Sequence, residues 1–258
     1  MKKKPLILVT NDDGITAPGI RKLIEVMNQI GEVVVVAPDS PQSAMGHAIT
    51  INSTLQCTRI DIEKGTHLEF SCSGTPADCV KLSVNEILDR KPDLCVSGIN
   101  HGSNSSINVI YSGTMSAALE AGIEGIQAIG FSLLDYRWSA DFDAIGNYVK
   151  KITLSALENK IPSNVVLNVN FPKLKEEEIK GIKICRQAKA YWLEEFDKRT
   201  NPMGLDYYWL TGKFVNEDKG EDTDEWALSN GYISIVPVEF DLTAHHAIKR
   251  LNKWNFEK

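Results

Sequence analysis

Residues 6–38 read LILVTNDDGITAPGIRKLIEVMNQIGEVVVVAP, and this stretch decides the fold. Leu6 to Val9 form a short apolar run that stops at the turn residues Asn11, Asp12, Asp13 and Gly14. Ile20, Leu23, Ile24 and Met27 then recur at helical spacing before Gly31, and Val33 to Val36 follow at once. A strand, an amphipathic helix and a continuously apolar strand in that order are the signature of a βαβ unit whose strands are covered on both faces. The theme repeats downstream. Pro76 opens a helix running to Leu88, Asp93 to Ser97 form a strand, and a Gly/Asn/Ser-rich loop leads into a helix from Ser112 to Ala121. Ala128 to Leu133 supply another strand, about Asp141 to Glu158 another helix, and Val165 to Val169 a further strand. The expected fold is α/β, a Rossmann-like, doubly wound, mostly parallel sheet with its core at about residues 1–172.

After Pro172 the pattern changes. Ile182 to Cys185, Tyr191-Trp192 and Tyr207 to Leu210 read as extended segments, the aromatic ones as a projecting hairpin, and Asp241 to Trp254 reads as a terminal helix. This is a C-terminal β-hairpin/helix extension over about 173–258. No low-complexity linker or internal repeat divides the chain, so residues 1–258 are read as a single domain with an elaboration.

Composition excludes several classes. Hydrophobic residues at 43% and charged residues at 24% describe an ordinary folded protein, not a disordered or fibrous one. The net charge of −6 and the lack of a long basic run argue against a nucleic-acid polymer as partner; a single nucleotide stays open, because one phosphate can be held by a metal and backbone amides. The basic start is followed by an apolar run too short for a secretory signal, and no stretch approaches the ~18 apolar residues of a membrane span. The five cysteines (57, 72, 79, 95 and 185) include no Cys-x-x-Cys pair and sit mostly in apolar runs, which fits reduced, buried thiols and a cytoplasmic location.

Three loops could carry chemistry, each just beyond a strand's carboxyl end, where open α/β sheets bind ligands. Asp12 and Asp13 in the first could chelate a hard divalent cation, although Asp-Gly is also a common turn pair. Pro38 to Thr50 (PDSPQSAMGHAIT) offers the Ser43 hydroxyl but otherwise reads as a loop, with His47 as a structural residue. The third runs from Ser97 through Asn100, His101 and Asn104 to Ser112-Gly113-Thr114. Asn100 and Asn104 suit a metal or a phosphate, His101 reads as a loop residue, and Ser112-Gly113-Thr114 at a helix start suits either an N-cap or a phosphate site. Their convergence on one sheet edge points to a metal ion plus a phosphate.

NDDG at 11–14, APGI at 17–20, VVAPDSPQS at 35–43, GHAIT at 46–50, SGTPADCV at 73–80, SGIN at 97–100 and YSGTMSAALEA at 111–121 closely resemble the survival protein SurE family. YYWL at 207–210, GYIS at 231–234 and DLTAH at 241–245 extend the likeness over nearly the whole chain. The resemblance implies a metal-dependent nucleotidase acting on nucleoside monophosphates, with polyphosphate open as a further substrate. It also implies one divalent cation per subunit, magnesium or manganese, held by Asp12, Asp13, Ser43 and Asn100, and a homodimer or homotetramer assembled through a swapped C-terminal extension. Asp12 is expected to be catalytic, and Asn104, Ser112, Gly113 and Thr114 to hold the phosphate. The chain departs from the family pattern at Ala44, where glycine is common, at Met203, where arginine is common, and at Val236, where threonine is common.

Rival readings are weaker. A haloacid-dehalogenase-like phosphatase needs a nucleophilic aspartate where Asn11 stands, and an amide cannot attack phosphorus. A phospho-receiver-like, metal-binding signalling module shares the acidic pair but needs a phosphoacceptor aspartate where Gly98, Ile99 and Asn100 follow the strand. No Gly-x-Gly-x-x-Gly follows the first strand, as a dinucleotide-binding reductase would require.

Overall fold

The computed structural model describes residues 4–63 and 67–256. Its frame is one large sheet. Strand β1 (Leu6–Thr10) pairs in parallel with β2 (Glu32–Pro38) on one side and with β5 (Leu94–His101) on the other. β2 pairs in parallel with β4 (Leu68–Cys72), whose outer edge carries the antiparallel β3 (Cys57–Ile60). Beyond β5 come the parallel strands β6 (Ala128–Leu133) and β7 (Val165–Phe171). The antiparallel β11 (Ile233–Glu239) and then β8 (Ile182–Ile184) complete the order β3-β4-β2-β1-β5-β6-β7-β11-β8. Residues beyond Pro172 therefore extend the sheet itself. They also project from it as a separate two-stranded ribbon, β9 (Ala190–Thr200) with β10 (Asp206–Asn216).

Helices cover both faces because the strand side chains alternate. Ile7 and Val9 face the layer of α1 (Pro18–Asn28) and α4 (Gly146–Asn159) together with Phe131 and Phe171. Leu8 faces α2 (Pro76–Leu82) and α3 (Gly113–Ile123) with Met115, Ala118 and Val166. Fully burying a side chain such as Leu8 contributes about 1.5–3 kcal/mol, so the two layers stabilise most of the fold. The remaining helices are α5 (Asp224–Ser229), capped by the Thr223 hydroxyl accepting from Trp226 N–H, and α6 (His245–Leu251).

The expected doubly wound sheet is present, with shifted ends. The helix after Pro76 gives way to a π-turn over Ser83–Ile87, the one before Asn159 starts at Gly146, and the terminal helix is confined to α6. β5 runs on to His101, so that residue closes a strand. The chain leaves β1 toward β2 and returns to β5 on the opposite side of β1, which makes the β1/β5 junction the switch point where a crevice must open.

Candidate active site

The turn after β1 is closed by Asn11 Nδ2 donating to Gly14 O at 2.9 Å. It delivers Asp12 to the start of α3, where the carboxylate accepts a 2.6 Å hydrogen bond from Thr114 Oγ1 and is only 5% exposed. The approach is possible only because residue 113 is glycine: a Cβ there would lie 2.7 Å from Asp12 Cβ and 2.8 Å from its Oδ2. Ser112 caps the same helix, its hydroxyl accepting from Met115 N–H at 3.0 Å. The three residues of the Ser-Gly-Thr motif thus have three tasks: cap, clearance and carboxylate anchor.

Asp13 is held from the other side of the crevice. Its Oδ2 lies 3.2 Å from the His101 N–H and 3.0 Å from His101 Nδ1. The ring is fixed by stacking on Trp138 at 5.5 Å and by an edge contact with Phe142 at 4.9 Å. Next to it, Asn100 donates its NH2 to Gly102 O at 2.9 Å, which settles the amide orientation and leaves Oδ1 free to act as an acceptor. The loop after β2 is tied to the same place by Gln42 N–H donating to Asp12 O at 2.7 Å and Ile15 N–H to Pro38 O at 2.8 Å. Ser43, the following residue, is exposed, and its hydroxyl makes no hydrogen bond among the described residues.

Ala44 gives the departure at that position a physical meaning. Its φ is +58°, a left-handed conformation that disfavours any Cβ by roughly 1–2 kcal/mol and suits glycine. Ala44→Gly is expected to relieve part of that strain and raise the melting temperature by a few degrees or less, because glycine also gains entropy when unfolded. Calorimetry of the two proteins checks this; a clear fall in melting temperature would contradict it.

Asn104 is buried in a polar network that spans two strands. Its Nδ2 donates to Ser132 Oγ at 2.8 Å, its backbone N–H to Asn170 Oδ1 at 2.8 Å, and its carbonyl accepts from Asn168 Nδ2 at 2.8 Å. One amide hydrogen of Asn104 is thereby committed and the second remains for another acceptor. At its far end the Ser43 loop is pinned by His47, whose Nε2 lies 2.8 Å from Glu120, a buried carboxylate that also pairs with Lys81 at 2.6 Å.

Electrostatics at the crevice are unbalanced. Burial, and secondarily the charge of Asp13, push Asp12 up to about 6, opposed by the Thr114 hydrogen bond. Among the described residues no lysine or arginine pairs with either aspartate. Nor is any group of three or more His, Cys, Asp or Glu there arranged to hold a metal. What converges is a pair of carboxylates with neutral amide and hydroxyl oxygens, the donor set of a hard cation and a poor one for zinc. The residues present fit a divalent cation.

A pH signature follows. In the metal-free protein Asp12 binds its proton more tightly folded than unfolded, so this group's contribution to stability, about 3 kcal/mol in all, is present below about pH 3, is lost as pH rises through about 6, and is flat above about 7. A cation that favours the carboxylate should reverse the loss. The rise in melting temperature on adding magnesium or manganese is expected to be larger at pH 7.5 than at pH 5; equal shifts would contradict the assignment.

Sequence reasoning did not find His101 as the partner of Asp13, nor Asn168 and Asn170. A lone histidine beside a Gly-rich loop carries no spacing signal, and the two asparagines read as interruptions of an apolar strand. A cavity of about 600 Å³ adjoins the α3 start, lined by His47, Ile110, Ser112, Leu119, Val236 and Leu242 among others.

The family model for "Survival protein SurE" matches residues 7–194. The chain belongs to the SurE family. Its relatives include the 5'-nucleotidase SurE of Flavobacterium psychrophilum, 75% identical over 255 residues and 99% of each chain. The 5'-nucleotidase SurE of Flavobacterium johnsoniae is 76% identical over 252 residues, covering 98% of this chain and 97% of its own. Among solved structures, the SurE protein from Aquifex aeolicus superposes with a TM-score of 0.84 at 41% identity, over 96% of this chain and 98% of that one. The doubly wound, mostly parallel sheet expected from the βαβ pattern and the sheet observed here agree.

Proposed function

We propose that the chain is a divalent-metal-dependent nucleotidase that hydrolyses nucleoside monophosphates at the β1/β5 crevice. Nucleotidase activity rests on relatives of that name at up to 76% identity over almost the entire chain. The single observation that carries the metal-dependent reading is the adjacent pair Asp12 and Asp13, with which no lysine or arginine pairs among the described residues, beside the Asn100–His101 end of β5 and the Ser43 loop at the switch point. Asp12, Asp13, Ser43 and Asn100 would hold the cation, magnesium or manganese by their all-oxygen chemistry. When bound, it offsets the carboxylate charge and polarises the phosphoryl oxygens.

The chain's own groups do the rest. The remaining phosphoryl oxygens meet the second amide hydrogen of Asn104, the Ser112 hydroxyl and the free amides at the start of α3, where the helix dipole favours an anion. Thr114 fixes the Asp12 carboxylate and Gly113 lets it sit against the helix, so the group that acts as base or nucleophile is held in place before substrate arrives. Ser112→Ala removes both a cap and a donor, but leaves Asp12 untouched. The adjoining cavity of about 600 Å³ has the volume for the base and sugar.

Phosphate release from a panel of nucleotides, with and without chelator, tests the reading. Release that is abolished by chelation and restored by magnesium or manganese is expected; full turnover after exhaustive chelation would overturn it. A receiver-like module would release nothing.

The C-terminal extension is the assembly surface in this reading. Tyr207 at 41%, Tyr208 at 57%, Trp209 at 59% and Trp254 at 57% exposure leave large aromatic surface unburied within one chain. Light scattering at micromolar concentration is expected to give a homodimer or homotetramer, and a monomer would count against it. Among the described residues no helix is long and apolar enough to cross a membrane, and a cytoplasmic location is part of the proposal.

A further inference from the structure

Three of the five cysteines meet at the edge of the sheet away from the crevice. Cys57 of β3 stands directly opposite Cys72 of β4 in an antiparallel register. The neighbouring pair, Gln56 and Ser73, is bridged by Ser73 N–H donating to Gln56 O at 2.9 Å. Because bonded and non-bonded pairs alternate along an antiparallel ladder, Cys57 and Cys72 form a non-bonded pair, the class whose Cα atoms approach to about 4.5 Å. Directly opposite side chains share a face of the sheet, and a disulfide spans Cα separations of about 4.4–6.8 Å. Cys79, in the first turn of α2, packs in the same apolar cluster.

The three thiols are not equivalent. Cys57 is half-buried and open to solvent at the edge strand, whereas Cys72 and Cys79 are fully buried. The neighbouring Cys79 thiol, and less strongly the Gly74 N–H, lower the Cys72 thiol to about 7 despite burial. Cys57 is raised by partial burial and by Cys72 itself. Cys95 stands apart on β5, its thiol pushed up to about 12 by burial.

We infer that Cys57 and Cys72 are an oxidisable dithiol, with Cys57 as the entry thiol and Cys72 as the resolving one, which closes to a cross-strand disulfide when a low-molecular-weight disulfide such as oxidised glutathione is available. Deprotonated Cys57 attacks one sulfur of oxidised glutathione, forming a mixed disulfide and expelling one glutathione thiolate. The Cys72 thiolate then attacks the Cys57 sulfur, forming the intrachain bond and expelling the second. Two electrons pass from the protein dithiol to the glutathione disulfide, and the two protons released leave as glutathione thiols. In the second step the attacking Cys72 thiol, lowered toward ambient pH, is the fast case for such exchange, and the β-ladder holds the two sulfur-bearing carbons together before the reaction.

The test incubates the full-length chain in glutathione buffers of increasing oxidised fraction, quenches with acid, alkylates after unfolding and maps the peptides by mass spectrometry. The expected result is a peptide pair joined through Cys57 and Cys72, with Cys79, Cys95 and Cys185 alkylated. Cys72→Ser should stop at glutathione on Cys57, and Cys57→Ser should leave Cys72 reduced. Cys79→Ala should still form the bridge, about tenfold more slowly near pH 7 as the Cys72 thiolate is lost. A bridge from Cys72 to Cys79, a stable mixed disulfide on Cys57 in the unmodified sequence, or five alkylated thiols at the most oxidising ratio would each overturn the inference.

Discussion

Asp12→Asn is expected to lower turnover by about 10³-fold, near 4 kcal/mol, while inorganic phosphate still binds at the α3 start. The carboxylate is buried, anchored by Thr114 and pressed against Gly113, so no other acid among the described residues can take its place except Asp13, which is committed to His101. Asparagine preserves the shape and accepts the same hydrogen bond from Thr114. The loss therefore reports chemistry, not collapse of the loop. Steady-state rates beside a phosphate-binding isotherm check it; a loss confined to the Michaelis constant would mean that Asp12 only binds.

Gly113→Ala should do comparable damage by a different route. On helix propensity alone the change would stabilise, by up to about 1 kcal/mol. Contact decides the other way. The new methyl would lie 2.7 Å from Asp12 Cβ, and that atom cannot swing aside as the tip of a long side chain could. Overpacking of this kind costs about 1–3 kcal/mol, and moving a reacting group by about 1 Å can lower turnover 10²-fold. Lower melting temperature and a rate loss of at least that size are expected together, and a variant with unchanged turnover would contradict the close approach of Asp12 to α3.

Much of this fold is legible in the sequence alone. The apolar runs at Leu6–Val9 and Val33–Val36 around a helical stripe are long and periodic, and they specify a parallel sheet covered on both faces. Asp12 and Asp13 follow the end of β1 and Ser43 follows the end of β2, as the pattern places them, whereas Asn100 lies within β5 and not in the loop beyond it. β3 and β11 were less visible. β3 is an edge strand with Thr58 and Arg59 exposed, so it lacks an apolar run, and β11 carries Pro237, which reads as a breaker. Individual tasks within Ser112-Gly113-Thr114 were not legible either. An N-cap, a clearance and a carboxylate anchor all use small residues at a helix start, and only the position of Asp12 separates them. The pairing of His101 with Asp13 joins residues 88 apart in sequence, a separation that local pattern cannot encode.

In the proposed function Asp12 and Asp13 build one divalent-cation site with Asn100 and Ser43. Manganese titration followed by electron paramagnetic resonance, where free ion gives the signal and bound ion does not, decides whether that site exists. One manganese ion per chain is expected to be withdrawn from the signal and displaced by magnesium, and the Asp12→Asn, Asp13→Asn double variant is expected to withdraw none at the same concentrations. Equal manganese binding by the double variant, or none by the unmodified chain, would contradict it.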